Sequence, residues 1–232
     1  MEKNKKIILG VNVALILAVF VGNYFYHTVG GLLIKTLCSG GFALIGLLNL
    51  AYAELTEKEK NFPVSMAIGL FLAMLGDVAI NLNFVIGAAL FALGHVCYFV
   101  SYCLLAKLKK TDLFVCGGIF LCTALFLLLC PLLDFGDAVK KVVCFVYALI
   151  ISLMAGKAIA NFFRRRDLLT LVLLVGSILF FFSDLMLLFN MFMGAGKWAS
   201  TLCMATYYPA ECSLAFSSLV CVAFSGTEKA EK

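Results

Sequence analysis

The chain has 232 residues, 64% hydrophobic and only 13% charged, with a mean hydropathy of +1.08. A water-soluble domain of this length needs far more polar surface, so the composition excludes one and indicates a polytopic membrane protein. The net charge of +5 comes from short basic clusters lying between apolar runs, which argues against nucleic acid as a partner.

Lys3, Lys5 and Lys6 precede the first apolar run, as in a secretory signal, but no small-residue cleavage site follows Val21-Gly22-Asn23-Tyr24. That run is therefore expected to stay as a first membrane helix. Eight spans of about 20 residues fit the chain, at 7–26, 30–53, 63–82, 84–106, 113–133, 139–162, 168–193 and 198–223. The fold class expected is all-α, a bundle of eight transmembrane helices forming one integral membrane domain over 1–232. Pro63 suits the first turn of the third span, and Pro131 closes the fifth. Pro209 falls inside the eighth, where it should kink the helix and release the carbonyl of Ala205, either as plain packing or beside a cavity.

Lysine and arginine bias sets the orientation. The N-terminus, Lys58, Lys60, Lys107, Lys109, Lys110, Arg164 to Arg166, Lys229 and Lys232 fall on one side. Lys140, Lys141, Lys197, Asp134 and Asp137 fall on the other. Both termini are expected in the cytoplasm, with the cell membrane as the location. The ten cysteines lie almost wholly in apolar runs without C-x-x-C spacing and read as small packing hydrophobes.

Two stretches stand out inside the spans: Gly69 followed by seven residues and Asp77, and Gly176 followed by seven residues and Asp184. A carboxylate at membrane depth costs roughly 2.5–3.5 kcal/mol on insertion scales, so it is rare and faces a protein interior or a wet cavity. Their matching settings also suggest two four-helix halves. At ~1.5 Å per residue, Asp77 should lie roughly 8 Å and Asp184 roughly 14 Å below the non-cytoplasmic ends of their helices, with Lys35 about 8 Å deep in the second span. His95, Tyr98 and Tyr102 share a face of the fourth span by their spacing, Tyr147 lies at a similar level, and Tyr207 and Tyr208 precede Glu211 by about one turn. Singly, each tyrosine reads as packing, His95 as a helix contact and Lys35 as a snorkelling cation. Together they predict one pocket in the outer half of the membrane, and Lys157, beside the arginine cluster, is left out of it. Asp77, Asp184, His95 and Glu211 should line that cavity, with the aspartate carboxyls about 5–9.5 Å apart as in paired-carboxylate hydrolases.

There is no G-x-S-x-G elbow, no H-E-x-x-H and no glycine-rich phosphate loop. A three-histidine zinc site is impossible with only His27 and His95. No metal or cofactor is expected, and the chemistry left is acid–base work by paired carboxylates. Lys35, at the level of Asp77, should keep that group ionised; the deeper Asp184, without a cation, is then the acid.

The chain resembles the lysoplasmalogenase family of YhhN-like membrane proteins. The likeness rests on Lys35-Thr-Leu, Leu75-Gly76-Asp77, Gly94-His95-Val-Cys-Tyr98, Tyr147 with Met154, Phe182-Ser183-Asp184 and Tyr207-Tyr208-Pro-Ala-Glu211. The resemblance implies an eight-helix membrane hydrolase that takes a lysophospholipid substrate from the membrane and cleaves the vinyl ether of lysoplasmalogens, giving a fatty aldehyde and a glycerophospho-headgroup. It implies catalysis by Asp77 and Asp184, with Lys35, His95, Tyr98, Tyr147, Ser183, Tyr207, Tyr208 and Glu211 binding substrate. Glu211 departs from the amide that the pattern Tyr-Tyr-x-x-Gln leads one to expect, so a third carboxyl enters the site. Two other readings are a proton-coupled carrier, which would also use buried carboxylates, and an intramembrane aspartyl protease. The protease motif is incomplete here, because Met74 and Leu75 precede Gly76.

Overall fold

The structure is a computed structural model and describes residues 2–224; Lys229 and Lys232 of the basic tail lie outside the described residues. It consists of eight helices and no strand among those residues: α1 (Glu2–Val29), α2 (Leu32–Leu55), α3 (Asn61–Ala79), α4 (Phe84–Leu105), α5 (Lys110–Leu129), α6 (Ala138–Arg165), α7 (Leu168–Phe192) and α8 (Lys197–Phe224). All eight are long and apolar enough to cross a membrane. With no water in the hydrocarbon to satisfy backbone groups, helices that pair every amide internally are the required element.

Short polar links punctuate the helices. Gly30 and Gly31, both at positive φ, turn α1 into α2, and Gly194 and Gly196 do the same between α7 and α8. Asn83, Asp137 and Asp167 cap α4, α6 and α7, each accepting a backbone N–H from the first turn at 2.8–3.1 Å. α3 ends three residues earlier than the expected span. The Asn81 side chain donates to the carbonyl of Asp77 at 2.5 Å, and Asn83 already opens the next helix. Asp77 is thus in the last turn of α3, two residues or about 3 Å from its end, not 8 Å deep. Lys35 is likewise in the first turn of α2, three residues or about 4.5 Å in.

α8 is the central element and packs against α7, α2, α1 and α3, running unbroken through Pro209. Because the last helix sits among the first three, the bundle is not divided into two sequence halves. The local likeness of the Gly-x7-Asp stretches does have a packing counterpart. A Cβ on Gly69 would lie 2.4 Å from the ring of Tyr98 on α4, and one on Gly176 would lie 2.8 Å from Leu214 on α8. Each glycine lets its helix approach the next in a hairpin, the small-residue contact that drives association in lipid.

Polar side chains tie the bundle at two further places. Asn12 and Asn49, fully buried, exchange reciprocal 2.9 Å amide hydrogen bonds, and Asn49 also donates to Ala215 O at 3.0 Å, joining α1, α2 and α8. At the basic end of α5, fully buried Asp112 accepts from Lys157 Nζ at 2.7 Å and pairs with Arg164. Lys157 Nζ further donates to Lys107 O at 3.2 Å. Lys157 is therefore not a surface companion of the arginines: it is buried and joins the α4–α5 link to α6. Cys38 and Cys116 behave as packing thiols, contacting Val19 O and Leu153 O across helix interfaces.

α5 is the exception to the close packing. Among the described residues its backbone packs closely on α6 alone, although α4 precedes it by only four residues, and the Phe126 ring reaches Phe189 of α7 at 5.9 Å. The space left between α5 and α4, α6 and α7 is a cavity.

Candidate active site

The intramembrane polar residues form two adjoining clusters. The first is built on Asp77, which is 2% exposed. Lys35 Nζ stands 3.3 Å from its Oδ1, while Ser39 Oγ and the Tyr207 hydroxyl (2.9 Å) both donate to Oδ2. The Tyr208 hydroxyl donates to Lys35 O at 3.3 Å and closes the knot from α8. Lys35 and Ser39 are one turn apart on α2, so a single helix face delivers both the charge and the hydroxyl. The buried carboxyl thus has a cation on one oxygen and two hydroxyl donors on the other, partners that offset the cost of burying a charge.

The second cluster is built on Asp184 of α7. The Tyr147 hydroxyl donates to its Oδ2 at 2.7 Å, and His95 Nε2 faces the same oxygen at 3.8 Å. His95 Nδ1 is 2.6 Å from Phe91 O. A carbonyl only accepts, so Nδ1 carries the proton, and in the neutral ring Nε2 is left as an acceptor beside Asp184. Fully buried Phe180 packs its ring against both His95 (4.5 Å) and Tyr207 (5.4 Å) and so joins the two clusters. Glu211, 0% exposed, accepts from the Tyr98 hydroxyl at 2.7 Å and lies behind both. The three carboxyl groups are within electrostatic range of one another.

The cavity has a volume of about 670 Å³, and its wall is almost wholly apolar, with Phe91, Phe126, Phe181 and Ile151 among the lining side chains. Among the described residues Asp184 is the only carboxyl on that wall, and it is flanked by Tyr147. Its side chain is 15% exposed, against 2% for Asp77. Other lining residues, Phe114, Cys122 and Met191, are exposed within the apolar lengths of α5 and α7, so the cavity wall reaches the apolar surface of the bundle.

The expectation of one cavity lined by Asp77, Asp184, His95 and Glu211 therefore needs correction. Asp184 and Tyr147 line it. Asp77, Lys35, His95, Tyr98, Tyr207, Tyr208 and Glu211 form a hydrogen-bonded and aromatic layer behind that wall. The physical reason is bulk: five large rings and the early end of α3 fill the space that a count of polar groups by depth leaves open. Ser183 is not brought to the site, since its hydroxyl bonds to Cys203 O at 3.1 Å and ties α7 to α8. Among residues the sequence reading missed, Ser39 was available as the i+4 neighbour of Lys35, and Ser177, bonded to the Tyr102 hydroxyl at 2.8 Å, lies next to the Gly176 contact.

The fold and the site define an integral membrane protein, an eight-helix bundle with a carboxyl group set in an apolar cavity and a second carboxylate clamped behind it. The family model of the YhhN family matches residues 33–218, a region running from the second helix into the eighth and including every residue of both clusters. The chain belongs to the YhhN family. No curated protein matches it, and no solved structure does.

Proposed function

We propose that this protein is a membrane-embedded hydrolase that cleaves the vinyl-ether bond of lysoplasmalogens, with Asp184 as the acid and Asp77 as its charged partner. The observation that carries the reading is Asp184 itself: a single carboxyl on the wall of an apolar cavity that reaches the apolar surface of the bundle. An apolar cavity of this size suits one hydrocarbon chain. A carboxyl in its wall has no business with a saturated chain, but it can act on a chain that carries a basic carbon.

A vinyl ether has such a carbon. Oδ2 of Asp184 is occupied by the Tyr147 hydroxyl, so the acid proton sits on Oδ1. Transfer of that proton to the β-carbon of the alkene uses the π electrons for the new C–H bond and leaves an oxocarbenium ion. Water then adds to the carbon bearing the ether oxygen, and the Asp184 carboxylate takes up the proton that water releases. The hemiacetal passes its hydroxyl proton to the glycerol oxygen as that C–O bond breaks, giving an aldehyde and an alcohol. Asp184 ends as it began, and no other reagent is consumed. Asp77, fixed by Lys35 and two hydroxyls, contributes a preorganised negative potential where positive charge develops, in surroundings that screen it weakly. The roles parallel the two carboxylates of glycoside hydrolysis, which also passes an oxocarbenium-like state.

In this reading the protein lies in the cell membrane with both termini in the cytoplasm, which follows the basic clusters. The test is aldehyde release by purified protein from a lysolipid with a vinyl ether at its first position, with the saturated ether analogue as control. The vinyl ether is turned over and the analogue is inert. Peptide cleavage without aldehyde release would indicate a protease instead, and proton-driven lipid movement without bond cleavage a carrier.

A further inference from the structure

Glu211 takes no part in the chemistry above, yet it is the most completely buried acid of the site. One oxygen accepts from Tyr98 at 2.7 Å, and the other, Oε1, has no donor directed at it. The groups facing it are Tyr98 and Tyr102 of α4, Tyr207 of α8, Asp77 of α3, Asp184 of α7 and Tyr147 of α6. None of these is a cation. The one cation of the site, Lys35, is engaged at Asp77.

Tyr207 decides the matter, because its hydroxyl has one proton and two carboxyl neighbours. That proton goes to Asp77 Oδ2 at 2.9 Å, and Lys35 and Ser39 fix Asp77 as the acceptor. Toward Glu211, one turn on along α8 and with no hydrogen-bond partner at Oε1, Tyr207 can then offer only oxygen lone pairs. Two acceptors repel, so the contact is favourable only if Glu211 brings the hydrogen. An unpaired carboxylate with no access to water is also strongly disfavoured, a cost that taking up a proton avoids.

We propose that Glu211 is a neutral, protonated positioning residue: its Oε1–H donates to the Tyr207 oxygen and orients the Tyr207 hydroxyl onto Asp77. The order of donors is Glu211 to Tyr207 to Asp77. Glu211 thus helps keep the negative charge of the site on Asp77 without touching substrate. The catalytic part of the proposal rests on the hydrolase reading; the protonation state does not.

Two readouts separate the two parts. Infrared spectra of the purified protein, taken across a pH titration to mildly alkaline conditions, should contain a protonated-carboxyl stretching component besides that of Asp184, one that Asp184→Asn keeps and Glu211→Gln lacks. A wild-type protein with no such component at neutral pH overturns the proposal, whatever its activity. In the aldehyde assay, Glu211→Gln keeps size and a donor and should retain activity within about threefold, whereas Glu211→Met, which fills the space without donating, should lose on the order of tenfold in kcat with KM little changed. Tyr207→Phe should lose as much, and Glu211→Met with Tyr207→Phe no more. Equal loss in Glu211→Gln and Glu211→Met would mean that the charge or a mobile proton is needed, and would also overturn the proposal. Absence of wild-type aldehyde release counts against the hydrolase reading alone, since the infrared comparison still decides the state of Glu211.

Discussion

Replacing Lys35 with methionine removes the one cation from Asp77 while keeping most of the side-chain volume. At the observed 3.3 Å separation the attraction is about 5 kcal/mol with an effective dielectric constant of 20. Most of that offsets the cost of bringing both charges out of water, so the pair itself adds little net stability. The single mutant behaves differently, because the aspartate stays behind. Breaking a buried pair costs about 3–5 kcal/mol, and the two hydroxyls on Oδ2 cannot replace an ammonium group. Lys35→Met should therefore lose about 3–5 kcal/mol, Asp77→Asn a comparable amount, and the double mutant at least ~2 kcal/mol less than the sum of the two. Reversible unfolding in detergent micelles measures this, followed by fluorescence of Trp198, the chain's only tryptophan, which packs against Phe189 at the start of α8. Additivity of the two losses to within ~0.5 kcal/mol would refute the buried ion pair and, with it, the reason for treating Asp77 as ionised.

Three further outcomes follow from the structure. Lys157→Met should destabilise by about 1.5–3 kcal/mol, because Asp112 stays buried with Arg164 as its remaining cation, but turnover per folded molecule should be nearly unchanged, as measured by activity against the unfolding midpoint. Gly118→Leu puts a side chain into the cavity at a position where a Cβ meets nothing within 4 Å, so stability should hold or rise while turnover of a long-chain lysolipid falls. A cysteine at Asp134, exposed in the α5–α6 link, should react with a membrane-impermeant maleimide on intact cells; labelling only after lysis would reverse the orientation.

How far the sequence can be read differs from one level to the next. The spans were legible because the bilayer imposes a length and a composition on every helix, whatever it packs against. Asp77, Asp184 and Lys35 were legible because charge at membrane depth is costly. The Lys35–Asp77 contact was legible because both residues lie near the same end of antiparallel helices. What failed depends on tertiary packing. The depth of Asp77 shifted because Asn81 and Asn83 stop α3 early, a local competition that hydropathy does not register. Lys157 reads only as a neighbour of the arginine cluster, and nothing in its sequence setting marks its buried pairing with Asp112, which follows Lys107, Lys109 and Lys110. The cavity itself was unreadable, since it exists because the α5 backbone packs closely on α6 and not on its sequence neighbour α4. Ser183, next to Asp184 in sequence, points a hundred degrees round the helix to α8, a displacement that adjacency in a motif conceals.

The central claim is that Asp184 delivers the proton and Asp77 supplies the charge. It is tested most directly by the rate of aldehyde release from a vinyl-ether lysolipid by wild type, Asp77→Asn, Asp184→Asn and the double mutant, each normalised to folded protein. Loss of a general acid costs ~10²–10⁴ in rate, and two groups acting as one unit give a double mutant scarcely slower than either single one. That pattern is expected here, with Asp184→Asn at or near the background rate. Near-normal turnover by folded Asp184→Asn would contradict it.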